Sequence, residues 1–165
     1  MFKSAALFLF FFQSFLGAQD QIVFWEKILD KTNTDVVKEL LTDDASIKKW
    51  EHYPQGDIFD FQTRSQYYYH SHREGEYGHF HTFIYQLGLL DEAPVWDGSV
   101  EEKDYLHIIG VSTDSQGRVT RLFITNLWVT GGKWLSKDDL KQAVSKFSIS
   151  HAKPSWPTNQ WLTEV

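Results

Sequence analysis

Apolar residues recur at two different periods along this chain, and the change of period divides it into elements. From Ile22 to Leu41 the spacing is helical. Ile22, Trp25, Ile28 and Leu29 share one face, and Val36, Val37, Leu40 and Leu41 repeat the pattern. Thr32-Asn33-Thr34-Asp35 between them reads as a break followed by a new N-cap. A polar link, Thr42–Ser46, leads to Trp50-Glu51-His52-Tyr53; Pro54-Gln55-Gly56-Asp57 then reads as a turn and Ile58–Phe61 as extended chain. From Gln66 the period becomes two. Gln66–His72 and His79–Tyr85 predict one hairpin, and Tyr105–Thr113 with Arg118–Asn126 predict a second around the turn Asp114-Ser115-Gln116-Gly117. Leu87–Glu102, with Pro94 and Gly98, is a loop long enough to act as a lid or pocket rim. Ser136 and Asp139 have the spacing of a capping box, opening a helix that carries Leu140 and Val144 to about Phe147. Beyond Pro154 and Pro157, Asn159–Leu162 predicts a short helix docking Trp161. The fold class is therefore α+β: an antiparallel sheet of at least four strands, built as two hairpins, packed with N-terminal helices and one C-terminal helix.

Within the first hairpin, Tyr67–Phe83 reads YYYHSHREGEYGHFHTF and holds four of the seven histidines as two H-x-H pairs. Alternate residues of a strand share a face, so each pair presents both imidazoles on one side. The six residues Arg73–Gly78, with two glycines, form the predicted connection. In that register His72 faces His79 and His70 faces His81, with cross-strand Cβ atoms about 5 Å apart. Four converging neutral imidazoles are a ready first shell for a transition metal. Tyr68, Phe83 and Tyr85 share that face, which gives it the character of a pocket wall. His107, on a face with Tyr105, Ile109 and Val111, adds a fifth imidazole if its strand joins the same wall.

Export changes the picture of what the site contains. Met1-Phe2-Lys3 is a short basic start, Ala5–Leu16 is apolar, and Leu16-Gly17-Ala18 offers small residues before Gln19-Asp20-Gln21. That is the form of a secretory signal peptide cleaved after Ala18, leaving 19–165 as a single α+β domain in the periplasm or secreted, with no membrane anchor after cleavage. The chain has no cysteine, so the fold holds without disulfides and thiolate metal sites are excluded. A formal net charge of −6 argues against a nucleic-acid partner, because phosphate binding needs clustered Lys and Arg.

The leading expectation is a metal centre on His70, His72, His79 and His81, with zinc, copper or iron as the metal. A closed set of four would be structural or metal-carrying; three with a water would be catalytic. Tyr68, Glu74, Glu76 and His107 are candidate further ligands or acid/base groups. The alternative is metal-free: Arg73 beside the histidines and tyrosines would bind a small anionic ligand or support acid/base chemistry. His52 near Asp57 and Asp60 is a weaker carboxylate–imidazole grouping. A third possibility is an aromatic wall for a sugar or peptide, with Trp96, Trp128 and Trp134 in loop-like segments. No nucleophile elbow, Cys nucleophile, dinucleotide fingerprint or P-loop is present, and no catalytic residue is assigned.

The segments His52–Asp60, Tyr67–Phe83 and Arg121–Thr130 resemble those of an uncharacterised bacterial domain family, a domain of unknown function. Its pattern here is the YYYHxHR…GHFH block with RLFxTNxWVT, across roughly Trp50–Trp134. Where this chain has Leu127 the family more usually carries a basic residue. The resemblance implies no reaction. It implies that the histidine block and the Arg121–Thr130 stretch belong to one site or one core, which adds Arg121 and Asn126 to the candidates.

Overall fold

In the computed structural model of the protein, the described residues are 17–41, 46–73, 77–90, 105–131 and 135–165. Residues 1–16, Glu74, Glu76, Trp96 and Trp134 lie outside them. Helix α1 spans Ala18–Asp30, followed by a 3-10 turn at Lys38–Leu40. Its amphipathic spacing turns Trp25 and Leu29 inward. The predicted break is real: the Asp35 carboxylate accepts the backbone N–H groups of Val37 and Lys38 at 2.9 Å each, so it caps the second turn.

Five strands follow in a meander: β1 (Tyr53–Asp60), β2 (Ser65–His70), β3 (His79–Tyr85), β4 (Tyr105–Thr113) and β5 (Val119–Phe123). They lie in that order in one sheet, with all four pairings antiparallel. The C-terminal part adds α2 (Leu127–Thr130), α3 (Lys137–Lys146) and α4 (Trp156–Glu164). The Ser136–Asp139 capping box is present at the start of α3. The fold is α+β, with one more strand than the two hairpins require.

One sheet face carries the core. Tyr67, Tyr69, Phe80 and Val111 pack with Trp25, Leu29, Val36, Leu40 and Trp161 into a single buried cluster. A second cluster joins Ile84, Leu106 and Ile108 to Ala143 of α3. Polar ties fix the layers: the buried Tyr67 hydroxyl donates to Asn159 at 2.7 Å, and Arg118 bridges Glu26 and Asp30 at 2.9 and 2.7 Å. With tyrosines 67 and 69 committed to this face, alternation sends Tyr68 and His70 to the other one.

Three local expectations are corrected. The Pro54–Asp57 segment lies inside β1, where it bulges: Tyr53 pairs with Tyr69 and Ile58 with Tyr67, so four residues stand opposite Tyr68 alone. Gly56 and Asp57 take φ of 89° and 56°, the left-handed conformations that gave the segment its turn character. The register of the histidine hairpin is shifted by two residues, His70 facing His79 and Tyr68 facing His81. The cause is a competing partner for the chain after His70: Ser71 bridges Lys49 and accepts the Trp50 N–H at 3.0 Å, which takes His72 out of the strand. Finally, the β3–β4 pairing shifts between His81 and Phe83. His107 therefore shares a face with His81, whereas Val111 turns into the core and Ile109 packs against it.

Candidate metal centre

The uncovered chemistry lies on the sheet face opposite the core. His70 ends β2 and His79 opens β3; their Nε2 atoms are 3.0 Å apart. His81, two residues along β3 and on the same side, places its Nε2 3.1 Å from that of His79. His79 Nε2 thus stands as the hub between the other two rings. His72 completes the group from the bend beyond β2, its ring 5.0 Å from that of His79 and 4.9 Å from that of His70. His70, His72 and His79 each offer one ligand nitrogen within 4.8 Å of the others and could hold a metal ion. Around a tetrahedral metal with bonds of 2.0–2.1 Å, neighbouring nitrogens stand about 3.3 Å apart. The His70–His79 and His79–His81 separations lie close to that.

Burial determines the charge of the group. His70 and His81 are 7% and 3% exposed. Burial, reinforced by the neighbouring imidazoles, pushes the His70 pKa down to about 3 and that of His81 down to about 2. Both rings are neutral at pH 7 and carry the lone pairs that ligation requires. Burial also lowers His107, to about 4.

His107 is the fifth imidazole, and it stands behind the cluster. Its Nε2 lies 2.9 Å from His81 Nδ1, and its Nδ1 lies 3.4 Å from the Thr125 hydroxyl, which in turn meets Thr130 Oγ1 at 3.2 Å. A proton on His81 Nδ1, donated to His107, leaves the His81 Nε2 lone pair facing His79. The β4–β5 hairpin closes one flank. Gly110 pairs with Phe123, and the missing side chain lets the Phe123 ring lie over it; a Cβ there would stand 2.3 Å from Phe123 Cζ. That ring contacts His79 and His81 at centroid distances of 5.2 and 6.0 Å.

Over residues 16–165 the chain matches the family described as a domain of unknown function, DUF6969. It belongs to that family. No curated protein and no solved structure matches it.

In this DUF6969 chain the site recruits part of what the sequence nominated. Tyr68 stands beside the cluster, its ring 5.3 Å from His70 and 5.2 Å from His81. Burial first, then the Asp57 and Tyr105 charges, raises its hydroxyl to about 12. Arg73 and Arg121 are exposed; Arg121 lies 5.4 Å over the Phe123 ring and touches the cluster only through it. Asn126 is the exposed N-cap of α2. Trp128, 82% exposed, lines nothing on this face. Of the Arg121–Thr130 stretch, Phe123 and Thr125 are the residues in direct contact with histidines. Sequence reasoning missed both, and also Trp50, which stacks on His72 at 4.6 Å. Among the three, only the alternation of Phe123 and Thr125 at the end of β5 and just beyond it carried a signal.

His52 sits at the edge of the cluster, its ring 5.5 Å from that of His70. Its Nδ1 donates to Asp57 at 2.8 Å and its ring stacks on Tyr68 at 3.7 Å. Asp60 is not part of it. That carboxylate is buried, accepting bonds from Ser150 that, with those of Gln62 and Thr63, outweigh the upward push of burial and hold its pKa low.

Proposed function

We propose that this DUF6969 protein is an exported metal-binding protein whose transition metal, zinc, copper or iron, is held by His79 with His70, His81 and His72. The observation that carries the reading is the approach of His79 Nε2 to those of His70 and His81 at 3.0 and 3.1 Å, with His70 and His81 buried and neutral and His72 beside His70 and His79. An N–H on one ring can bond a neighbouring lone pair, whereas a cation held among the rings takes their lone pairs as ligands. Imidazoles with no thiolate suit all three metals. The fourth tetrahedral position belongs either to His72, which closes the centre into a storage or structural site, or to a water, which makes it catalytic. Export rests on the basic start, the apolar run Ala5–Leu16 and the small residues before Gln19. Among the described residues, no helix is long and apolar enough to cross a membrane.

Elemental analysis of the purified protein tests the reading, with about one metal per chain expected. A melting series with and without chelator accompanies it. Metal at one hundred times its dissociation constant stabilises the fold by about 2.7 kcal/mol, and His72→Ala/His79→Ala should erase that difference. An absence of metal with an unchanged melting temperature would transfer the site to metal-free acid/base chemistry along the His81–His107–Thr125 relay.

A further inference from the structure

Beside the imidazoles, and sharing Tyr68 with them, lies a second cavity of about 370 Å³. That is within the range of about 300–1,000 Å³ typical of small-molecule sites. Its lining includes Asp57, Gln66, Tyr68, Phe83, Tyr85 and Tyr105. Four of these six are aromatic.

The hydrogen bonds inside the cavity are directional, and most of its donors are used. His52 Nδ1 and Gln66 Nε2 both donate to the Asp57 carboxylate, at 2.8 and 2.9 Å. Tyr85 donates its hydroxyl proton to Gln66 Oε1 at 2.9 Å, and Tyr105 donates to the Thr130 carbonyl at 2.6 Å. The phenol oxygens of Tyr85 and Tyr105 keep lone pairs for a ligand, as does the carboxylate. The Tyr68 hydroxyl has no hydrogen-bond partner among the described residues. Apart from the Tyr68 hydroxyl, the cavity offers a ligand acceptors, which suit N–H or O–H donors.

Charge narrows the class further. The lining contains one carboxylate and neither lysine nor arginine. Asp57 is the one acidic group in that lining, so the cavity sits at negative potential. An anion would be repelled there. The rings supply the complement of a cation, since their faces attract positive charge and their edges cover hydrocarbon.

We propose that this cavity binds a small organic amine in its ammonium form, with Asp57 facing the charge and the Tyr68, Phe83, Tyr85 and Tyr105 rings packing its carbon frame. The site does not depend on the metal reading, because none of its lining residues is one of the clustered histidines.

Three probes with one carbon skeleton test it on the full-length mature protein by titration calorimetry: 2-phenylethylammonium, 2-phenylethanol and phenylacetate. The ammonium should bind with a dissociation constant of about 1 mM or below, the alcohol about tenfold or more weaker, and the carboxylate not measurably. Asp57→Asn should abolish the preference for ammonium over alcohol. Tyr85→Leu, which removes one ring and keeps comparable bulk, should weaken the ammonium and serves if Asp57→Asn fails to fold. Chelator treatment and His72→Ala/His79→Ala should leave ammonium binding intact whether or not metal is found. Equal affinities, preference for the alcohol or carboxylate, no saturable ammonium binding, or loss of binding with chelator would each overturn the proposal.

Discussion

His107 shows how a single side chain can matter to a metal centre without touching the metal. Its Nε2 lies 2.9 Å from His81 Nδ1, and by accepting the Nδ1 proton it would orient the His81 ring and leave Nε2 free to ligate. His107→Ala should therefore weaken metal binding by about 10- to 100-fold while the metal-free fold keeps its secondary structure. His107→Gln, which retains a side-chain carbonyl able to accept from Nδ1, should recover part of that loss. Competition titration against a chromophoric chelator measures both, and equal affinities for wild type and His107→Ala would refute the role. His70 and His81 also make the chelated protein acid-sensitive. Their folded pKa values, about 3 and about 2, lie below the ordinary value of 6.5. Below about pH 6.5 the unfolded chain binds protons that the folded chain refuses. The stability they contribute is thus complete above that pH and is lost as pH falls toward about 3, by up to about 1.4 kcal/mol per pH unit for each ring. Thermal melts of chelated protein between about pH 7 and about pH 4 should show a steady decline. A flat profile would mean that these rings are not held neutral.

Two glycines decide how the strands carry the site, and they differ in what a methyl group would strike. At Gly78 a Cβ would stand 2.0 Å from the His70 carbonyl oxygen and 2.7 Å from its carbon, both backbone atoms of the paired strand. Gly78→Ala can be accommodated only by prising β3 from β2 at the point where His79 meets His70. A loss of about 3 kcal/mol is expected, with the metal site spread apart. At Gly110 the obstacle is the end of the Phe123 ring, which can swing out. Gly110→Ala should cost about 1 kcal/mol and expose the flank of His79. Denaturant midpoints of the two variants rank them, and a larger effect at Gly110 would contradict this account of the packing.

The layered arrangement assigns stability and chemistry to opposite faces of one sheet. Helices α1 and α4 seal the core face through Trp25, Leu29 and Trp161, leaving the other face to five imidazoles and the tyrosines beside them. The export proposal belongs to the same picture. Helix α1 begins at Ala18, so cleavage after that residue would leave Gln19–Asp30 and both of its buried residues in place. Intact-mass analysis of protein recovered from the exporting host should give a chain starting near Gln19. A membrane-bound product retaining Met1 would count against export with cleavage.

Local pattern was enough for the α+β class, the helical break with its Asp35 cap, the Asp114–Gly117 turn and the Ser136–Asp139 capping box, because each follows from short-range backbone chemistry. The strand period alone also put His79 and His81 on a common face; His72 joins His70 from the bend beyond β2. Register did not follow, since it depends on which partner wins a strand end: Ser71 pairs with Lys49, and His70 faces His79 as a result. The membership of the site was equally a tertiary outcome. His107 joins through a shift in the β3–β4 ladder, Phe123 through the space above Gly110, and Thr125 through the return of the chain after β5. Bulges and close approaches arise between segments far apart in the chain, where periodicity within one segment carries no information about its neighbour.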